Sequence, residues 1–216
     1  AAFPTIPPVN IAPGRRVFHI QREAEQAYIV LLMKGLKRHD PAEYPLTVAN
    51  EMLGGGLSSR MASEIRSRRG LAYTVYSYFA KKPDYGYILA YCGTSPSTCG
   101  QAAEAMLQQF GLMGAAEAPE AEVKRAKDAI VNSFVFKFPT PFELISERAA
   151  YEFYGYRPGY LDSYVANVSA AGPAEVLESS RRFFRPDDAL MMVVGDAGKF
   201  DRPLSAFGPV TELPED

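Results

Sequence analysis

Apolar residues recur along this chain with two periods. Arg15–Gln21 (RRVFHIQ) reads as a strand, with Val17, Phe18 and Ile20 apolar. Gln26–Lys34 (QAYIVLLMK) is a second, and its centre is apolar without a break. That is expected of a strand covered on both faces or central in its sheet. The period then lengthens. Asp40-Pro41-Ala42-Glu43 opens a helix, with Asp40 as cap, Pro41 at the first position and Glu43 completing a capping-box-like arrangement. Tyr44, Val48, Ala49, Met52 and Leu53 follow at helical spacing. Gly54, Gly55 and Gly56 stop this helix, since glycine accepts the left-handed conformation at a C-cap. A short basic helix comes next, with Met61 and Ile65 one turn apart, and Gly70 ends it.

Alternation returns in Tyr73–Phe79 and Tyr85–Cys92, joined by a loop short enough for a hairpin. Thr94-Ser95-Pro96 starts a helix with Ser95 as cap, and Cys99, Ala102, Ala103, Met106, Leu107 and Phe110 form its apolar face. Pro119 starts another, with Val123, Ala126, Ile130, Val131 and Phe134 on one side. Thr140-Pro141-Phe142-Glu143 is a capping box that opens a third. Gly172-Pro173 opens a fourth, bearing Val176, Leu177, Phe183 and Phe184. Ala189–Gly195 (ALMMVVG) is a last buried strand, followed by a polar tail. The order β-β-α-α-β-β-α-α-α-α-β predicts an α+β domain, a mostly antiparallel sheet with helices packed on one face.

Composition narrows the function. The 216 residues are 47% hydrophobic and 22% charged, with a formal net charge of −2. A core of this size needs no metal or disulfide staple, and the charge argues against nucleic acid as the main partner. No apolar run is long enough to span a membrane. Residues 1–14 (AAFPTIPPVNIAPG) lack the basic and apolar regions of a signal peptide. Their four prolines read as a linker after an earlier part of a longer polypeptide, leaving 15–216 as one domain. Cys92 and Cys99 are either two small buried apolar residues or a single bridge made in an oxidising compartment.

Catalytic patterns are few. The histidines are His19 and His39, and neither sits in H-E-x-x-H or H-x-x-E-H. A catalytic zinc needs three protein ligands, which this chain is not expected to assemble. There is no G-x-S-x-G elbow, P-loop or dinucleotide fingerprint. What stands out is Leu53–Tyr73, LGGGLSSRMASEIRSRRGLAY. Arg66 and Tyr73 flank the Gly70 turn and could converge as two hydrogen-bond donors on a peptide carbonyl or a developing oxyanion. Alternatively Arg66 pairs with a carboxylate and Tyr73 packs in the sheet. The glycines are either a helix stop and tight turn or a backbone close to a ligand or partner.

L-G-G-G-L-S-S-R-M at 53–61, E-I-R at 64–66 and R-G-L-A-Y at 69–73 resemble the signature of the insulysin/pitrilysin/mitochondrial-processing-peptidase family of zinc metallopeptidases. The match is to its second, non-catalytic domain. The resemblance implies a zinc-free, substrate-binding half that pairs, in cis or in trans, with an H-x-x-E-H-bearing domain or subunit around a peptide chamber. Zinc is expected in that partner and no cofactor in this chain. Arg66 and Tyr73 match the arginine and tyrosine the family lends to the chamber, and Gly54, Gly55 and Gly56 match its glycine-rich loop only faintly. The family also includes non-enzymatic scaffold subunits, and a stand-alone peptide- or small-ligand-binding domain is a third reading. A bacterial periplasm fits the family.

Overall fold

The computed structural model of the protein describes residues 12–215. Most of the segment read as a linker lies outside them. Among the described residues six strands form one sheet in the order β3-β4-β2-β5-β1-β6. They are β1 (Arg16–Gln21), β2 (Ala27–Lys34), β3 (Ala72–Lys81), β4 (Gly86–Thr94), β5 (Leu190–Gly195) and β6 (Val210–Glu212). The pairs β3/β4, β4/β2 and β2/β5 are antiparallel, whereas β1 lies parallel to both β5 and β6. The sheet is thus mostly antiparallel, as the element order predicts.

Strand alternation divides the sheet into two faces. On β2, Ala27, Ile29, Leu31 and Met33 are buried while Tyr28 and Lys34 are exposed. The unbroken apolar run of this strand is therefore explained by its central place between β4 and β5. Ile88, Ala90 and Cys92 of β4 and Met191 and Val193 of β5 continue the inner face. Helices cover it. The helices among the described residues are α1 (Glu43–Asn50), α2 (Cys99–Ala115), α3 (Glu120–Phe134), α4 (Pro141–Phe153), α5 (Tyr160–Ala170) and α6 (Pro173–Phe183), of which α4 alone buries none of its residues. The apolar face expected of α2 is buried throughout, as are Val123, Ala126 and Ile130 of α3. Among the described residues no helix is long and apolar enough to cross a membrane.

Several expectations are corrected. The stretch after Tyr154 holds a further helix, α5, which buries Tyr160, Leu161, Tyr164 and Val168. The polar tail ends in β6, whose pairing with β1 is extended by the Leu213 N–H donating to the His19 carbonyl (2.7 Å). The N-terminus of α2 is capped not by Ser95 but by Asp201, which accepts from the Gly100 and Gln101 N–H groups (2.7 and 3.2 Å). Glu43 does not close a capping box. Its carboxylate turns into the core, where it accepts from Lys81 and the Tyr160 hydroxyl, joining α1, β3 and α5. The Thr140–Glu143 capping box is present as expected.

Cys92 and Cys99 are buried and unbridged, and burial pushes both thiols up to about 12. His19 is 1% exposed, with Nδ1 2.7 Å from Glu212 and Nε2 3.0 Å from the Gly195 carbonyl. Both its nitrogens are engaged in fastening β1, β5 and β6 together.

Candidate functional site

The Leu53–Tyr73 segment follows α1 as two wide π-helical stretches, Glu51–Gly55 and Ala62–Arg68, packed beside the edge strand β3. Met61, Ala62 and Ile65 face the core, which leaves the basic residues outward. Most of them are neutralised locally. Arg60 holds Glu122 through both oxygens (2.7 and 2.9 Å), and Glu64 accepts from Arg68 and Arg69 (2.6 Å each). Desolvation raises the Glu64 carboxyl, but the two arginines more than offset it and hold it below its usual range.

Arg66 is the exception, since it makes no ion pair among the described residues. Its guanidinium carbon lies 5.2 Å from the centre of the Tyr73 ring, a cation–π arrangement. Two local features create this convergence. Gly70, with φ of 64°, turns the chain and lets the Leu71 N–H reach the Ile65 carbonyl (2.9 Å). Only glycine adopts that conformation freely. Then Ala72 pairs with Thr94 and Thr74 with Gly93, so Tyr73 is the extra residue of a β-bulge. Bulges re-aim a side chain, and the Tyr73 ring is 82% exposed. The hydroxyl of Thr94 fixes the strand start by donating to the Leu71 carbonyl (2.6 Å).

The three glycines behave differently from the expected left-handed cap. Gly54 has φ of −157° with ψ of 16°, and Gly56 is extended with φ of −151°, so neither is left-handed. Gly54 is needed because the backbone there runs against the Ser77 backbone nitrogen of β3, whereas a methyl on Gly55 would meet only the movable end of the Glu51 side chain. A methyl group on Gly54 would sit 2.5 Å from the Ser77 hydroxyl oxygen, and one on Gly55 2.2 Å from the Glu51 carboxylate. Ser77 in turn donates to Asn50, whose amide donates back to the Ser77 carbonyl (2.9 and 3.2 Å). Burial pushes the half-buried Glu51 carboxyl above its usual range, with Lys137 opposing. The exposed edge of this loop is Gly55 with Leu57.

Strands β3 and β4 with β2 also carry a row of rings that sequence reasoning did not single out. On the uncovered face of the sheet, Tyr76 stacks on Tyr91 (5.2 Å), Tyr91 on Tyr28 (6.2 Å) and Tyr76 on Tyr78 (6.4 Å). The alternating tyrosines of β3 and β4 were the available signal. No three His, Cys, Asp or Glu side chains come together as a metal site among the described residues.

Residues 3–130 match the protein family described as Peptidase M16 inactive domain. An uncharacterized zinc protease of Bacillus subtilis is 28% identical over 173 residues, 80% of this chain and 42% of that protein. One of Streptomyces coelicolor is 30% identical over 172 residues, 80% of this chain and 38% of that protein. A solved peptidase M16 inactive domain from Pseudomonas fluorescens superposes with a TM-score of 0.84 at 22% identity, over 94% of this chain and 48% of that one. This chain therefore spans less than half the length of these relatives. With the motif, the fold and these matches in agreement, the chain belongs to the family of peptidase M16 inactive domains.

Proposed function

We propose that this chain is the substrate-positioning half of a zinc metallopeptidase, working with an H-x-x-E-H-bearing domain or subunit on the same or another polypeptide. The observation that carries this reading is the Arg66–Tyr73 pair: an unpaired guanidinium beside an exposed phenol, aimed outward by a turn and a bulge. In a chamber closed by the partner, zinc would polarise the scissile carbonyl and activate water. Arg66 and Tyr73 supply donors to a peptide carbonyl or to the developing oxyanion. The tyrosine row gives side chains of an extended peptide apolar faces to rest on. Gly55 and Leu57 form the nearby rim that a peptide would pass.

The test is turnover of a fluorogenic peptide by this chain combined with its zinc-bearing counterpart, together with zinc content. Arg66→Ala or Tyr73→Phe lowers kcat by about tenfold to a thousandfold while zinc in the assembly is unchanged. Wild-type turnover in both variants refutes the assigned roles. No turnover in any mixture favours the scaffold reading.

A further inference from the structure

Helix α4 carries its apolar side outward. Phe142, Ile145, Ala149 and Phe153 recur at helical spacing and form one stripe along it. Phe142 is 78% exposed, Ile145 65% and Phe153 82%. The helix is nevertheless fixed in place from its other side. Tyr151 sets its ring edge-on to Tyr160 (4.7 Å), Arg148 donates to Asp162 (2.9 Å), and the Arg38 guanidinium stands 3.5 Å over the Tyr154 ring at the helix end. At about 200 Å² for each large side chain, the stripe exposes roughly 450 Å². Apolar patches of that size on a monomer mark binding surfaces.

A second unpartnered surface lies on the outer face of the sheet, beside the tyrosine row. An antiparallel sheet that is open to water on one side carries polar residues there. Here Phe18 and Ile20 of β1, Leu190 and Met192 of β5, and Val30 and Leu32 of β2 point outward, alternating with the buried residues of the same strands. Register gathers them. Phe18, Met192 and Val30 form one row across the three strands, and Arg16, Leu190 and Leu32 form the next. None of the six apolar residues belongs to the buried core.

We propose that a second copy of this chain covers both surfaces at once, with α4 of each protomer lying on the β1–β5–β2 face of its partner about a two-fold axis. A single two-fold operator pairs helix with sheet twice, because the contact is reciprocal. The sizes agree. The 13 residues of α4 span about 20 Å, and the six residues each of β1 and β5 also span about 20 Å. Three strands about 4.8 Å apart match the width of one helix, about 10 Å. Two stripes, each covering a comparable area of sheet, bury roughly 1,800 Å² in all, within the range of stable interfaces.

The charges agree as well. Glu152 borders the stripe and makes no ion pair among the described residues, and neither do Arg16 and Lys34 on the outer face of the sheet. The Arg16 Nε is buried without an acceptor. A membrane is a poorer fit, because α4 sets Glu143, Glu147 and Glu152 against Arg148, whereas helices that lie on anionic lipid are rich in Lys and Arg. Arg66, Tyr73 and the tyrosine row lie beside this seat, so the dimer does not rest on the function proposed above.

Sedimentation velocity of this chain alone, over a wide range of concentration, is the experiment. The chain sediments as a dimer that dissociates on dilution. The double variant Phe142→Ser, Phe153→Ser raises the dissociation constant by at least about tenfold, and so does Met192→Glu. All three positions are exposed, so circular dichroism and the urea midpoint of the variants match the wild type. Mixing the two variants restores part of the association, since one contact of the mixed dimer joins an intact α4 to an intact sheet face. A monomer at every concentration overturns the proposal, and a complex of that monomer with a zinc-bearing half, lost in the same variants, gives both surfaces to that partner instead. A dimer broken by the α4 variant but not by Met192→Glu also overturns it, because the helices then pair with each other. So does a dimer unchanged in both. No peptide turnover enters these measurements, so a failed peptidase assembly and a failed dimer are separate results.

Discussion

Lys81→Met isolates the cost of a buried charge. The Glu43 side chain is 5% exposed and Lys81 22%, and the pair is completed by the Tyr160 hydroxyl 3.0 Å from the lysine nitrogen. Burial holds the Lys81 ammonium below its usual range even though Glu43 opposes that shift, so desolvation dominates here. Removing one partner of a buried pair costs about 3–5 kcal/mol because the other charge is stranded. The partial exposure of Lys81 places this case near the lower end, about 3 kcal/mol. For a chain of this size that lowers Tm by roughly 6–12 °C. Replacing both charges, as Glu43→Leu with Lys81→Met, returns most of the loss, since an apolar pair of similar volume is often as stable as the ion pair. Urea unfolding followed by circular dichroism measures Lys81→Met, Glu43→Leu and the double variant. A single-variant cost below about 1 kcal/mol, or a double variant as unstable as the sum of the two singles, refutes the reasoning.

Two further outcomes follow from the core. Cys92 and Cys99 are raised from 9.0 to about 12 by burial. A group raised on folding gives stability that is full below its unfolded pKa and is lost as pH rises through the folded one. Stability therefore falls between about pH 9 and 12, each thiol withdrawing about 1.4 kcal/mol per pH unit. The half-buried phenol of Tyr151 and the buried ones of Tyr160 and Tyr164 act in the same direction above pH 10. A urea midpoint unchanged between pH 8 and 10.5 contradicts this. Asp201→Ala removes a cap supplied from a hundred residues away to α2 and lowers stability by about 1 kcal/mol in the same urea assay, while Ser95→Ala leaves it within about 0.5 kcal/mol.

The sequence reveals most where local physics decides. The faces of α2 and α3 and the Thr140 box are legible because periodicity and capping are properties of neighbouring residues. Helix α5 is harder to see. Gly159 at its start is left-handed and gives no side-chain cap, and half of its buried face is tyrosine. The three exposed residues of β6 carry no alternation, and they are a strand only because β1 lies beside them. At the candidate site, the turn at Gly70 is readable from spacing, which leaves the meeting of Arg66 with Tyr73 as one of two readings. The bulge that exposes Tyr73 is not readable, because it depends on register with β4.

The position of β1 bears on how the chain folds. Among the described residues β1 is the earliest strand of this sheet, yet its two partners, β5 and β6, are the last. During synthesis β2, β3 and β4 can pair as soon as residue 94 has emerged, while β1 must wait for residues 190–212. Closing so long a loop is slow. Until then β1 and the open side of β2 are unpaired edges, prone to pair with other chains. Ending the chain at residue 189 makes that state permanent, leaving the sheet with β3, β4 and β2 and an aggregation-prone edge.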